Sequence, residues 1–146
     1  MAIYGGFAGG EASISERDIN ANISKLSGNI AANELSDDNS YHVIYNKGGG
    51  IDNTAILDGF TISSGNANNV GENADGGGMY IENASPSIRN CTFSFNQADE
   101  RGGGLYCEET NMTLDGCSFN NNSANTGGGA ANYLSLIHIS EPTRPY

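Results

Sequence analysis

The chain contains no tryptophan, and only 6 of its 146 residues are Lys or Arg, against 17 Asp and Glu. Its formal charge of −11 comes without any Lys/Arg cluster, which excludes the electrostatic footprint of a nucleic-acid binder or of an anionic-membrane binder. Acidity of this kind keeps a protein soluble but does not name a partner. No run of eighteen apolar residues occurs, so no transmembrane helix is expected. The start lacks a basic stretch followed by an apolar one. Ala2-Ile3-Tyr4-Gly5-Gly6-Phe7 instead reads as the interior of a domain, with any export signal expected upstream of this chain. The three cysteines, an odd number, make no disulfide framework. There is no Cys-x-x-Cys pair, and two histidines are too few for a zinc site.

What the chain has in excess is Gly, at 21 residues, and Asn, at about 20. Both are poor in helix interiors and tolerate positive φ at corners. Alternating with short apolar runs, they point to all-β structure with many turns.

The turns recur. Gly76-Gly77-Gly78-Met79-Tyr80-Ile81-Glu82 returns 26 residues later as Gly102-Gly103-Gly104-Leu105-Tyr106-Cys107-Glu108, and begins again 25 residues on at Gly127-Gly128-Gly129. A second frame aligns Leu57-Asp58-Gly59-Phe60-Thr61-Ile62 with Ile88-Arg89-Asn90-Cys91-Thr92-Phe93 and Leu114-Asp115-Gly116-Cys117-Ser118-Phe119. The first of these coils carries about five extra residues within Asn68–Asp75. Leu26-Ser27-Gly28 reads as a fainter copy of Leu57-Asp58-Gly59, and Tyr41–Tyr45 as a further strand.

A leucine-rich horseshoe needs a regular Leu ladder and a helical side, and neither is present. A coil of three short strands fits the period better. One such coil cannot bury its own apolar positions, so its stability must come from neighbours stacked about 4.8 Å away. The fold expected is an all-β, right-handed parallel β-helix of about four to five coils, truncated, over residues 1–133 and clearest over 50–133. Stacking predicts ladders of Leu57, Ile88 and Leu114; of Phe60, Cys91 and Cys117; and of Ile62, Phe93 and Phe119. Ala67, Ala98 and Ala124 fit beside a corner, and Asn96 and Asn122 form an inward Asn ladder bonded to each other and to corner backbone. Cys91 and Cys117 are either buried thiols or, given close stacking, a disulfide. The Gly triplets lack the helix and Lys-Ser/Thr of a phosphate cradle and read as architecture.

The last thirteen residues, Leu134–Tyr146, abandon the Gly/Asn pattern. The string resembles a translated sequencing adapter, which is expected to be a non-native tail. The natural chain is then expected to be cut near Tyr133, with Met1 an accidental start. The 133 residues that remain keep the same net charge, because Glu141 and Arg144 cancel.

With the repeats in view, Gly-Gly-Gly-Met/Leu-Tyr followed by Phe93-Ser94-Phe95-Asn96 or Phe119-Asn120-Asn121-Asn122 resembles the repeats of polymorphic outer-membrane proteins. Ile3–Gly9 with Glu16-Arg17-Asp18 is similar to the opening of bacterial β-helix repeat proteins of the pectin-lyase-like superfamily. The resemblance implies a secreted or cell-surface module, structural or adhesive, with polysaccharide, glycan or protein partners. It also implies an alternative: a fragment of a polysaccharide lyase or hydrolase whose catalytic coils lie elsewhere.

Candidate chemistry is sparse. Asp58, Arg89 and Asp115 share one position in three coils, and read as a solvated ion ladder rather than an acid–base site. Glu82 and Glu108 oppose like charges, a destabilising arrangement unless they splay or share a cation. With Glu109 they are the candidates for a weak surface Ca²⁺ site; no other cofactor is expected. Asp37-Asp38 and Asp99-Glu100 read as turn charges. His42 has no motif around it. Tyr80 and Tyr106 should point away from the core, where they either meet a sugar or pack against the Asn68–Asp75 loop. Coil ends without caps expose strand edges, which invite self-association.

Overall fold

The computed structural model describes residues 1–31, 35–133 and 136–140. Fifteen short strands run through it: β1 (Ala2–Tyr4), β2 (Ser24–Ser27), β3 (Ile44–Lys47), β4 (Ile56–Asp58), β5 (Phe60–Ser63), β6 (Asn66–Ala67), β7 (Met79–Glu82), β8 (Ser87–Arg89), β9 (Thr92–Ser94), β10 (Gln97–Ala98), β11 (Leu105–Glu108), β12 (Asn111–Asp115), β13 (Ser118–Asn120), β14 (Ala130–Tyr133) and β15 (Leu136–Ser140). Two single turns of 3-10 helix, at Ile14–Glu16 and Gly71–Ala74, are the only helical segments among the described residues.

All pairings between these strands are parallel, and they fall into three main sheets. The first has the order β1-β4-β8-β12-β15, the second β2-β5-β9-β13 and the third β3-β7-β11-β14, while β6 and β10 pair at one corner. Because the chain visits the three sheets in a fixed order, every circuit lays one strand on each. This is a right-handed parallel β-helix of four coils, with β15 opening a fifth. The hand is the one that strand twist favours for parallel crossovers.

The core lies inside the three sheets and consists of rows. One row runs Ile3, Leu57, Ile88, Leu114, Ile139, and another Leu26, Ile62, Phe93, Phe119. In the second row the Phe93 and Phe119 rings stack 4.8 Å apart and nearly parallel, at 5°. Burying one such ring contributes about 2–3 kcal/mol. The third sheet adds Ile44, Met79, Leu105 and Ala130.

The rows correct one register. Leu26 belongs beside Ile62, not in the Leu57 row, where Ile3 stands. An apolar–polar–Gly triplet occurs at two corners of a coil, so Leu26-Ser27-Gly28 and Leu57-Asp58-Gly59 look alike while lying on different sheets. The counterpart of Leu57-Asp58-Gly59 is Ile3-Tyr4-Gly5, whose Gly5 N–H donates to Asp58 O at 2.8 Å. The strand expected over Tyr41–Tyr45 is displaced to Ile44–Lys47, because the Val43 and Ile44 amides are the first to pair with the Gly77 and Gly78 carbonyls.

Each Gly triplet packs one coil on the next. Gly102 takes a φ of +62°, and a Cβ on Gly103 would lie 2.3 Å from the Ser123 carbonyl oxygen. In the tail, Leu136–Ser140 pairs in parallel register with β12, setting Ile137 beside Met112 and Ile139 beside Leu114. A solenoid edge accepts any strand that alternates apolar residues, so this pairing is independent of the segment's origin. Residues 134–135 and 141–146 lie outside the described residues.

Candidate functional site

The outer face of the third sheet gathers the most polar and aromatic chemistry. Alternation along β7 and β11 sends Met79, Ile81, Leu105 and Cys107 into the core. Tyr80 and Tyr106 therefore face outward, in register with Tyr45 of β3. Ring centroids lie 5.4 Å apart along both steps, Tyr45 to Tyr80 and Tyr80 to Tyr106. His42 joins the stack at 5.3 Å from Tyr45 and 5.5 Å from Tyr80. Its Nδ1–H donates to the Gly76 carbonyl at 3.0 Å, while Nε2 is buried without a partner among the described residues.

Outward did not mean exposed. Tyr80 keeps 2% of its surface accessible and Tyr106 none, so neither ring offers a face to a sugar. Neighbouring rings cover both faces of Tyr80, and the Arg101 guanidinium lies 4.4 Å from the Tyr106 centroid. Burial, reinforced by a carboxylate accepting each O–H, pushes both phenols well above their ordinary range. The ring of this row left open is Tyr45, half exposed.

The row beside the tyrosines holds Lys47, Glu82 and Glu108. Tyr80 and Tyr106 each donate an O–H at 3.0 Å to the Glu two residues on. Lys47 Nζ sits 3.1 Å from Glu82 and also meets Glu72, which accepts the Tyr45 O–H at 2.7 Å. These hydrogen bonds lower the Glu72 carboxyl and raise the Lys47 ammonium. Glu72 rides on the extra Asn68–Asp75 segment, whose Asn69 side chain donates to Tyr41 Oη at 2.9 Å. That insertion is a strap pinned to the first coil.

The cation site expected at Glu82, Glu108 and Glu109 is not assembled. Lys47 supplies the positive charge beside Glu82, and no group of three His, Cys, Asp or Glu able to hold a metal occurs among the described residues.

On the first sheet, Asp58, Arg89 and Asp115 do lie in one register row. Their ion ladder does not form, because Asp58 is buried and taken by Arg17 at 2.8 Å and by the Asn90 amide at 2.9 Å. Arg17 also donates to the Gly5 and Asp58 carbonyls and lies over the Tyr4 ring. A second clamp, Arg101 to Asp75, uses both carboxylate oxygens at 3.1 and 2.7 Å.

The remaining sequence candidates lie inside the solenoid. Asn96 is fully buried; its Nδ2 donates to Ile62 O and to Asn122 Oδ1, both at 3.0 Å, and its Oδ1 accepts from Gly65 N. Asn122 donates to Phe93 O at 2.9 Å. Cys91 and Cys117 are free thiols stacked beyond Phe60, and burial pushes Cys91 up to about 12, which leaves it inert as a nucleophile. Ala67 and Ala98 pair at their corner.

Sequence reasoning missed Arg17 and Lys47 as the charges that satisfy Asp58 and Glu82. Neither partner lies at the repeat spacing, so no periodic signal marks them. No family model, curated protein or solved structure matches the chain. The β-helix architecture stands on the strand register alone.

Proposed function

We propose that this chain is a non-enzymatic β-helix module of a secreted or cell-surface protein, structural in its coils and adhesive through a saccharide laid on Tyr45. The observation that carries this reading is how the polar groups are spent. Asp58, Asp75, Glu72 and Glu82 are each held by a cation from another coil or an inserted loop, which leaves no free acid–base pair among them. Catalysis on polysaccharides needs an acid and a base poised at the scissile bond. Asp58 and Asp75, buried against Arg17 and Arg101, present no carboxylate to a substrate.

Tyr45 supports the adhesive part. Its ring is backed by Tyr80 and flanked by Lys47 and Glu72, an apolar plate edged by hydrogen-bonding groups. Such plates suit the C–H faces of sugars.

The test is to incubate the protein with neutral and acidic polysaccharides, measuring binding by calorimetry and cleavage by release of reducing or unsaturated ends. Binding that Tyr45→Ala abolishes, without turnover, is the expected result. Release of cleavage products overturns the non-enzymatic reading, and binding unchanged by Tyr45→Ala overturns the site.

A further inference from the structure

Phe95 is disfavoured twice at the place it occupies. Its φ is +55°, a left-handed conformation that a bulky side chain rarely adopts, and its ring is 64% exposed. The same corner in the coils on either side uses smaller polar residues, Ser64 at φ +63° and Asn121 at φ +54°. The core row of this coil is already filled by Phe93, so the second ring lies outside it. Strain of this kind is a mark of functional positions.

The surroundings of the ring carry no charge, in a chain whose net charge is −11. Residues 60–67, 92–98 and 118–124 form the second sheet and the corner that follows it in three successive coils, and they contain no Asp, Glu, Lys or Arg. Hydroxyls and amides stand there instead. Gln97, Asn121 and Ser123 are exposed on the corner of Phe95, where its N–H donates to Asn120 O at 3.2 Å and Gln97 bridges to Ser123. At the other end of β9, Ile19, Asn20 and Ile23 of the β1–β2 connection face Thr61 and Thr92 across a notch of about 260 Å³, room for one sugar ring. Thr92 and Phe95 are three residues apart along the chain, about 10 Å in extended backbone.

We infer that the outer face of the second sheet binds a neutral oligosaccharide laid along β9, with one ring on Phe95 and the following units reaching the Thr61–Thr92 notch. An aromatic face takes the C–H side of a sugar. Sugar hydroxyls both donate and accept, as do the Thr and Ser hydroxyls and the side-chain amides of Gln97 and Asn121. An acidic polysaccharide finds no cation in this strip, the nearest in register being Lys25 on β2. A protein interface would set the ring in an apolar core, where amides stand instead. The site rests on the saccharide class proposed above but not on Tyr45, which lies on the third sheet. A long polysaccharide that engages both places binds by avidity and is released when either is lost, whereas short oligomers report each separately.

The test is an NMR titration of the full chain with neutral tetrasaccharides of glucose, of mannose and of xylose. At least one of them should shift the amides of Thr61, Thr92, Phe95 and Gln97, and Tyr45→Ala should leave those shifts in place. Phe95→Asn should weaken this binding by about ten-fold. The same substitution should raise the unfolding midpoint, because Asn suits the left-handed corner and exposes no ring to water. Thr61→Val, which keeps the shape and removes the hydroxyl, should weaken binding by about five-fold. The inference is overturned by amides that none of the sugars shifts, by binding that Phe95→Asn leaves intact, or by a Phe95→Asn protein less stable than the wild type. Shifts that vanish in Tyr45→Ala but persist in Phe95→Asn place the sugar on the third sheet, which overturns this site and spares the other.

Discussion

Phe93 shows what one side chain contributes when its neighbours are copies of its own coil. It is fully buried between Ile62 and Phe119, with an Asn ladder sealing the adjacent corner. Phe93→Ala should cost about 3–5 kcal/mol, from lost transfer and the cavity left behind. Chemical denaturation of the two proteins checks this, and a loss near 1 kcal/mol would mean that the coils collapse freely onto the gap. Phe119 is less enclosed, so its truncation should cost less. Asn96 follows the opposite logic, since an amide in this position is tolerated only because its donors and its acceptor are met. Its place in the repeat was legible because Asn122 recurs in the same frame.

Among the elements, the inserted loops obey local chemistry instead of the repeat. The Phe7–Glu11 loop folds its amides onto one carboxylate: Ala8 N–H donates at 2.6 Å, and Gly9 and Gly10 N–H at 2.8 Å each. With the Ala8 bond foremost, these donors lower Glu11 to about 2. The folded value lies below that of the unfolded chain, about 4.3. The carboxylate's contribution is therefore complete above that value and is lost as the pH falls toward about 2. An NMR titration should place the Glu11 midpoint near 2, with amide protection at Ala8–Gly10 disappearing over the same range. A midpoint in the ordinary carboxylate range would show that the loop does not hold this shape. The Asn68–Asp75 strap is built in the same way, with Glu72 and Asn69 tying it to Tyr45, Lys47 and Tyr41.

As a whole, the molecule is quasi-one-dimensional, and each coil draws its stability from the coils beside it. A disturbance at one end should therefore stay there. Arg17 ties the long β1–β2 connection to the first and second coils through Gly5 and Asp58. Arg17→Ala leaves Asp58 buried with only Asn90 for support, at a cost of about 3 kcal/mol. Hydrogen exchange should speed up in β1 and β2 while β8, β9 and β11 keep their protection. Uniform acceleration through every strand would show that the solenoid unfolds as one unit.

The period and, over residues 50–133, the Leu57–Ile88–Leu114 and Ile62–Phe93–Phe119 rows were written in the sequence. A solenoid repeats one local solution, so equal spacing along the chain becomes contact between coils. That is why the Ile62–Phe93–Phe119 row and the Asn96–Asn122 pair were readable from position alone. Whatever breaks the period had to wait for three dimensions: the sheet that Leu26 joins, the burial of Tyr80 and Tyr106, and the capture of Asp58 and Glu82 by Arg17 and Lys47. Insertions lie at no fixed offset from the residues they cover, so only the folded path of those loops determines which outward side chains meet water.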